Sequence, residues 1–194
     1  MTVQTGFDFK TWGGARRGAG RKRRAPRPQV PHRARPAFHQ AALHVTCRVR
    51  REIWNLRTHR CFRAVSRALE QGCVRFGFRL VHFSVQGNHF HLIVEAPDEV
   101  ALGRAMKGLE VRMARRLNRI LRRRGPVFSD RYHARRLRSP REVSFAVRYA
   151  VHNFAEHARR EGRPVRSDFV DPYSSAALPP GSPLVAKPHY WLLL

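Results

Sequence analysis

The sequence predicts an α+β fold: an antiparallel sheet with helices on one face, and an additional C-terminal helix that carries a tyrosine. Three observations lead there. Short β-rich runs alternate with long segments of helical periodicity, two of the runs are joined by a Gly-Asn turn, and proline and glycine punctuate the boundaries.

The segment Ala42 to Val49 is rich in β-branched residues and reads as a first strand. Between Arg57 and Arg75, Cys61, Val65, Ala68 and Leu69 recur at helical spacing, with Gly72 as the stop. Phe78 to Val85 sets Leu80, His82 and Ser84 against Val81, Phe83 and Val85, the alternation of a half-buried strand. Gly87-Asn88 is a hairpin turn signal, and His89 to Ala96 is the returning strand, stopped by Pro97. A long helix follows from Glu99 to Arg123, with Leu102, Met106, Leu109, Met113 and Leu117 on its apolar stripe, until Gly125-Pro126 breaks it. Val127 to Leu137 reads as extended. Ser139-Pro140-Arg141-Glu142 then combines an N-cap serine, a proline at N1 and a glutamate at N3, which starts a helix running to Arg160 before Gly162. The order β-α-β-β-α-β matches the split β-α-β, ferredoxin-like pattern, with a third helix added. Residues 38–162 form the folded domain, 1–37 a basic arm without apolar periodicity, and 163–194 a Pro/Ser-rich, loosely packed tail.

Charge narrows the function. Lys and Arg number 39 against 13 Asp and Glu, a net charge of +26, which a polyanion would have to neutralise. Nucleic acid is that polyanion, and arginine, which far outnumbers lysine here, adds bidentate phosphate geometry. Arg16, Arg17, Arg21, Lys22, Arg23 and Arg24 of the arm are candidate DNA contacts, with a solvated tail as the competing reading. Further candidates are Arg112, Arg115, Arg116 and Arg119 on the polar side of the second long helix, and Arg131, Arg135 and Arg136 in the extended stretch. Cys47, Cys61 and Cys73 form no C-x-x-C pair and fit a reducing compartment. No apolar run reaches the roughly 18 residues of a membrane span, and no apolar signal core opens the chain, so the expected location is cytoplasmic, associated with the nucleoid.

The chemistry sits in two places. In Asn88-His89-Phe90-His91-Leu92-Ile93, the two histidines are at i and i+2, so they share one face of the strand and can ligate one divalent cation, with a third ligand from elsewhere. On the last helix, Tyr149 and Asn153 are at i and i+4, one turn apart on one face. His44, His82, Tyr132 and Glu95 are secondary: the first two structural or DNA-facing, Tyr132 suited to stacking on a base, and Glu95 an edge or supporting residue on the face of His89 and His91.

Together His89-Phe90-His91 and Tyr149-x-x-x-Asn153, about 60 residues apart, resemble the REP-associated tyrosine transposases within the IS200-like single-tyrosine family, over roughly Phe38 to Arg163. The resemblance implies that His89, His91 and Asn153 hold Mg²⁺ or Mn²⁺ and that Tyr149 attacks the scissile phosphate of single-stranded or hairpin DNA, leaving a 5′-phosphotyrosine and a free 3′-hydroxyl. Asparagine stands where better-known members of the wider family use glutamine, one methylene longer. A phenol is mostly protonated at neutral pH, and no general base stands out. The alternative is a catalytically silent relict that binds DNA hairpins. A replication initiator would bring further domains, and an RNA-binding ferredoxin-like sheet would carry an aromatic run that is absent. Both a monomer and a homodimer with exchanged tyrosine helices fit the sequence.

Overall fold

The computed structural model describes residues 35–75 and 77–194. Five strands form one sheet: β1 (Ala41–Arg48), β2 (Val74–Arg75), β3 (Phe78–Val85), β4 (His89–Ala96) and β5 (His133–Leu137), in the order β2-β3-β4-β1-β5 with every pairing antiparallel. Setting aside the two-residue β2, this is the ferredoxin-like arrangement expected from the sequence. Helices α1 (His59–Glu70), α2 (Glu99–Ile120) and α3 (Pro140–Arg160) complete it. The candidate DNA contacts of the arm, Arg16 to Arg24, lie outside the described residues.

The two faces of the sheet are used differently. Leu43, Val45 and Cys47 of β1, Phe83 and Val85 of β3, and Phe90, Leu92 and Val94 of β4 point to one side, where Val65, Leu69, Met106, Leu109 and Met113 of α1 and α2 close over them. Burying each such side chain contributes about 1.5–3 kcal/mol before entropy is counted. The intervening residues face α3: Ala42, Ile93 and Leu137 pack on Val143, Ala146 and Ala150, with Leu192 of the C-terminal segment joining them. The alanines on α3 let the helix lie close to the strands, and that closeness brings Tyr149 against His44 and His91.

Each helix begins as its sequence dictates. The side chains of Thr58, Asp98 and Ser139 accept from the backbone N–H of Cys61, Ala101 and Glu142. Glu142 in turn accepts from the N–H of Arg138, so the predicted capping box is present with its return bond one residue early. Helix α3 ends in a Schellman motif: Arg163 N–H donates to Ala158 O and Gly162 N–H to Arg159 O, with Gly162 at φ +72°.

Four expectations are corrected. Strand β3 does not alternate strictly: the register shifts between Leu80 and His82, so Leu80 shares the α1/α2 side with Phe83 and Val85, while His82 and Ser84 face α3. A β-bulge inserts one residue, which simple alternation cannot foresee. Helix α2 stops at Ile120 rather than Arg123, because Arg122 takes φ +49° and closes the same C-terminal motif that Gly162 closes in α3. The extended stretch expected from Val127 is strand only from His133, preceded by a single bridge between Val49 and Phe128.

The segment beyond Arg163 is anchored rather than loosely packed. Arg57 donates to both carboxylate oxygens of buried Asp171 at 2.9 Å and to Val85 O, and its guanidinium lies 3.7 Å from the Phe154 ring centroid and 4.4 Å from that of Tyr173. Ala186 N–H pairs with Leu80 O, and buried Glu95 accepts the backbone N–H groups of His189 and Tyr190. Among the described residues no helix is long and apolar enough to cross a membrane.

Candidate active site

Strand β4 presents His89 and His91 to the α3 side, and the register of its neighbours sets Thr46 of β1 and Ser84 of β3 beside His91. His91 Nδ1 lies 3.1 Å from His44 Nε2 and 3.2 Å from Thr46 Oγ1. A proton on Nδ1 satisfies either partner and leaves Nε2 with a free lone pair. That Nε2 is buried and has no hydrogen-bond partner. His89 Nδ1 is 2.8 Å from Asn88 Oδ1, an acceptor, so Nδ1 carries the proton and Nε2 is again the open nitrogen.

All three histidines are held neutral. Burial pushes His91 down to about 3, with His44, His89 and His157 adding to the effect. Burial, then Arg135 and His133, lowers His44 to about 4. His89 is lowered by burial, then by Arg48 and His157. Neutral imidazoles are the form that ligates a cation.

From the other side, α3 supplies Tyr149 and Asn153. The Tyr149 ring, 47% exposed, meets His91 edge-on at 5.1 Å between centroids and His44 at 5.9 Å. One turn on, Asn153 is 1% exposed, and neither Oδ1 nor Nδ2 has a partner. An orphaned buried polar group costs about 1–3 kcal/mol, yet His91 on β4 and Asn153 on α3 both carry such atoms. Helix α3 thus sets Tyr149 against His91 and buries Asn153 one turn further along. Among the described residues no group of three or more His, Cys, Asp or Glu is arranged to hold a metal ion, so a cation here would depend on the carboxamide of Asn153 besides the two imidazoles.

The candidate DNA-contacting arginines divide. Arg135 on β5 stands opposite His44 in register and faces the site. Arg136 pairs with Leu43 and faces the opposite side, and Arg131 is exposed ahead of the strand. Arg112, Arg115, Arg116 and Arg119 line a groove on the outer surface of α2, across the sheet from Tyr149, where Arg116 donates to Gln71 Oε1. The structure therefore does not gather them at the site. Tyr132 is also corrected: its ring is buried and covered by the Arg35 guanidinium at 3.7 Å, which leaves no face for a base. His82 bonds Ser175 Oγ in the C-terminal segment. Thr46 and Asn88, which orient the two histidines, were not singled out in the sequence. Cross-strand register is the signal that reveals Thr46, and it is invisible before the strands are paired.

The site is thus a ferredoxin-like sheet with a paired-histidine strand, faced by a helix bearing tyrosine and asparagine. The family profile described as "Transposase IS200 like" matches residues 37–153. The chain belongs to the IS200-like transposase family. Among solved structures it is similar to a REP-associated tyrosine transposase bound to a REP hairpin, at 15% identity and a TM-score of 0.54, over 75% of this chain and 82% of that one. A crystal structure of a protein from Deinococcus radiodurans R1, named as a candidate transposase, aligns at 14% identity and a TM-score of 0.43 over 68% and 96%, too low to bear on the fold. No curated protein matches the sequence.

Proposed function

We propose that this transposase nicks and rejoins single-stranded DNA at hairpin-containing sites, through a covalent 5′-phosphotyrosine formed by Tyr149. The observation that carries the reading is the buried, unpartnered Nε2 of His91, whose ring meets the accessible Tyr149 ring, together with the buried, unpartnered Asn153 carboxamide one turn along the same helix. A structural role would have satisfied those atoms or replaced them with apolar groups.

His89 and His91, with Asn153, fit a hard divalent cation such as Mg²⁺ or Mn²⁺, which accepts neutral nitrogen and oxygen donors and keeps open positions for water and phosphate oxygens. When bound, the cation would supply charge stabilisation at the scissile phosphate. The chain's own part is to hold the nucleophile. The Tyr149 hydroxyl attacks phosphorus, the Tyr Oη–P bond forms and the P–O3′ bond breaks. The phenolic proton is lost, and the departing 3′-oxygen takes up a proton to become a hydroxyl. Rejoining is the reverse, with the 3′-hydroxyl of another strand displacing Tyr149. The shared fold with a transposase that binds a REP hairpin supports hairpin DNA as the substrate class.

The test is covalent trapping on labelled single-stranded hairpin oligonucleotides from the DNA flanking the gene, with Mn²⁺ or with chelator. A metal-dependent, SDS-resistant adduct in the parent protein and none in Tyr149→Phe, at unchanged hairpin affinity, is the expected result. Tight binding with no adduct under any metal would replace this reading with that of a silent hairpin-binding relict.

A further inference from the structure

A cavity lies away from the tyrosine, at the open edge of the sheet. It measures about 540 Å³ and runs between the segment Arg35–Phe38, the edge of β5 and the start of α3. That size falls within the range of about 300–1,000 Å³ typical of small-ligand sites. Pro36, Phe38 and Ala134 supply accessible apolar lining over the buried Leu43 and Leu102, and Arg35, Arg135, Arg136 and Arg138 also line the cavity. Glu142 is the one acidic group in the lining, and it is already engaged, 3.7 Å from Arg135 Nη1 and accepting the Arg138 N–H.

We propose that this cavity is a nucleotide subsite that receives one unpaired base of the bound DNA strand, with the base on the apolar lining and its flanking phosphates on the arginines. The inference rests on the strand-cutting reading above and adds a place where that strand is recognised. Three observations carry it. An apolar lining with Arg136 and Arg138 beside it, in addition to Arg35 held on Tyr132 and Arg135 held by Glu142, suits a ligand that is flat and apolar in its middle and anionic at its ends, which describes a nucleotide; base contacts of this sort tolerate any sequence, while phosphate contacts set the register. Strand β5 pairs only with β1 among the described residues, so its outer edge offers backbone N–H and C=O groups that can read a base edge. Finally, β5 joins this cavity to the candidate active site, because Arg136 faces the cavity side beside Leu43 while Arg135, its neighbour, stands opposite His44, the residue bonded to His91. A strand leaving Tyr149 over the β5 edge therefore meets Arg135 first and the cavity next.

The experiment is an abasic-site scan of binding. The Tyr149→Phe protein, which holds DNA without cutting it, is titrated with fluorescent single-stranded oligonucleotides from the gene's flanks, each carrying one abasic site at a successive position. The expected outcome is one position near the cleavage point at which loss of the base weakens binding about tenfold, as for a stacked base. Adding Ala134→Trp, which fills the cavity from the exposed strand, should abolish the sensitivity of that position and leave the others unchanged. Arg136→Gln, a surface change that spares folding, should weaken the intact oligonucleotide and reduce the difference at the same position. The proposal is overturned if no position is sensitive, or if the sensitive position stays as sensitive in the Ala134→Trp and Arg136→Gln proteins as in the Tyr149→Phe protein alone. Failure of the strand-cutting reading would look different: no metal-dependent adduct between the parent protein and the intact oligonucleotides.

Discussion

Replacing Glu110 with glutamine should raise the melting temperature above neutral pH and leave it unchanged near pH 4.5. Glu110 reaches from α2 to Cys47, whose Sγ lies 3.8 Å from Oε1. Burial pushes its carboxyl up to about 7 from an ordinary 4.5, with Cys47 and Arg35 pulling it back only in part. The folded protein therefore keeps a proton that the unfolded chain has already lost between those two pH values. Stability falls as pH rises across that window, and the deficit is complete above pH 7. At about 1.36 kcal/mol per pH unit, the gap between 4.5 and about 7 sets a ceiling of about 3 kcal/mol. For a chain of this length, 1 kcal/mol moves the melting temperature by about 2–4 °C, so the ceiling corresponds to about 10 °C. Glutamine keeps the shape and the oxygen that faces Cys47 while removing the ionisation. The assay is thermal unfolding of both proteins from pH 4.5 to 8.5, in which every other titrating group cancels in the difference. Melting temperatures that run parallel over the whole range would refute the assignment of a buried, proton-retaining carboxyl.

Arg122 holds a left-handed conformation at the end of α2, φ +49°, so Arg122→Gly should stabilise the fold by about 1 kcal/mol in urea unfolding; a loss would show that its side chain contributes more than its backbone costs. Asn153→Leu removes two unpartnered buried atoms and should stabilise the metal-free protein by about 1–3 kcal/mol while eliminating the covalent adduct, and a variant that loses stability would mean the carboxamide is satisfied in solution. Asp171→Ala leaves the guanidinium of Arg57, largely buried, without its carboxylate and should cost about 3–5 kcal/mol, whereas a loss below about 1 kcal/mol would show that water reaches Arg57 freely.

The sheet and helices were legible because their signals are local. Ser139-Pro140-x-Glu142 fixes the start of α3 without reference to anything distant, and the side-chain period of two puts His89 and His91 on one face whatever β4 pairs with. The Tyr149–Asn153 spacing works in the same way on α3. Signals that depend on pairing were not legible. The bulge between Leu80 and His82 reverses the facing of Leu80, and composition cannot locate an inserted residue. That Arg122 would adopt a conformation favoured by glycine ran against its propensity, so the periodicity alone carried the helix too far. The C-terminal segment is broken up by proline and serine and shows no period, hence its reading as loose; yet Asp171, Ser174 and the backbone of His189 and Tyr190 fix it through polar contacts that leave no periodic trace.

The same facing explains how a chain of net charge +26 can offer a site for a cation. A positive field repels a divalent metal at long range, and protonated histidines would add to it. Burial keeps His44 and His91 neutral down to about 4 and about 3, well below physiological pH, and the cationic neighbours Arg48 and Arg135 reinforce that neutrality by lowering His89 and His44 further. The groove arginines Arg112, Arg115, Arg116 and Arg119 lie beyond the sheet on α2. Their charge is thus kept away from the imidazoles and left available to phosphates, which carry the compensating negative charge to the protein. On the proposed function the anionic strand and the cation would favour each other: a phosphate seated by Tyr149 would offset the field that opposes the metal, and the metal would offset the charge of the phosphate.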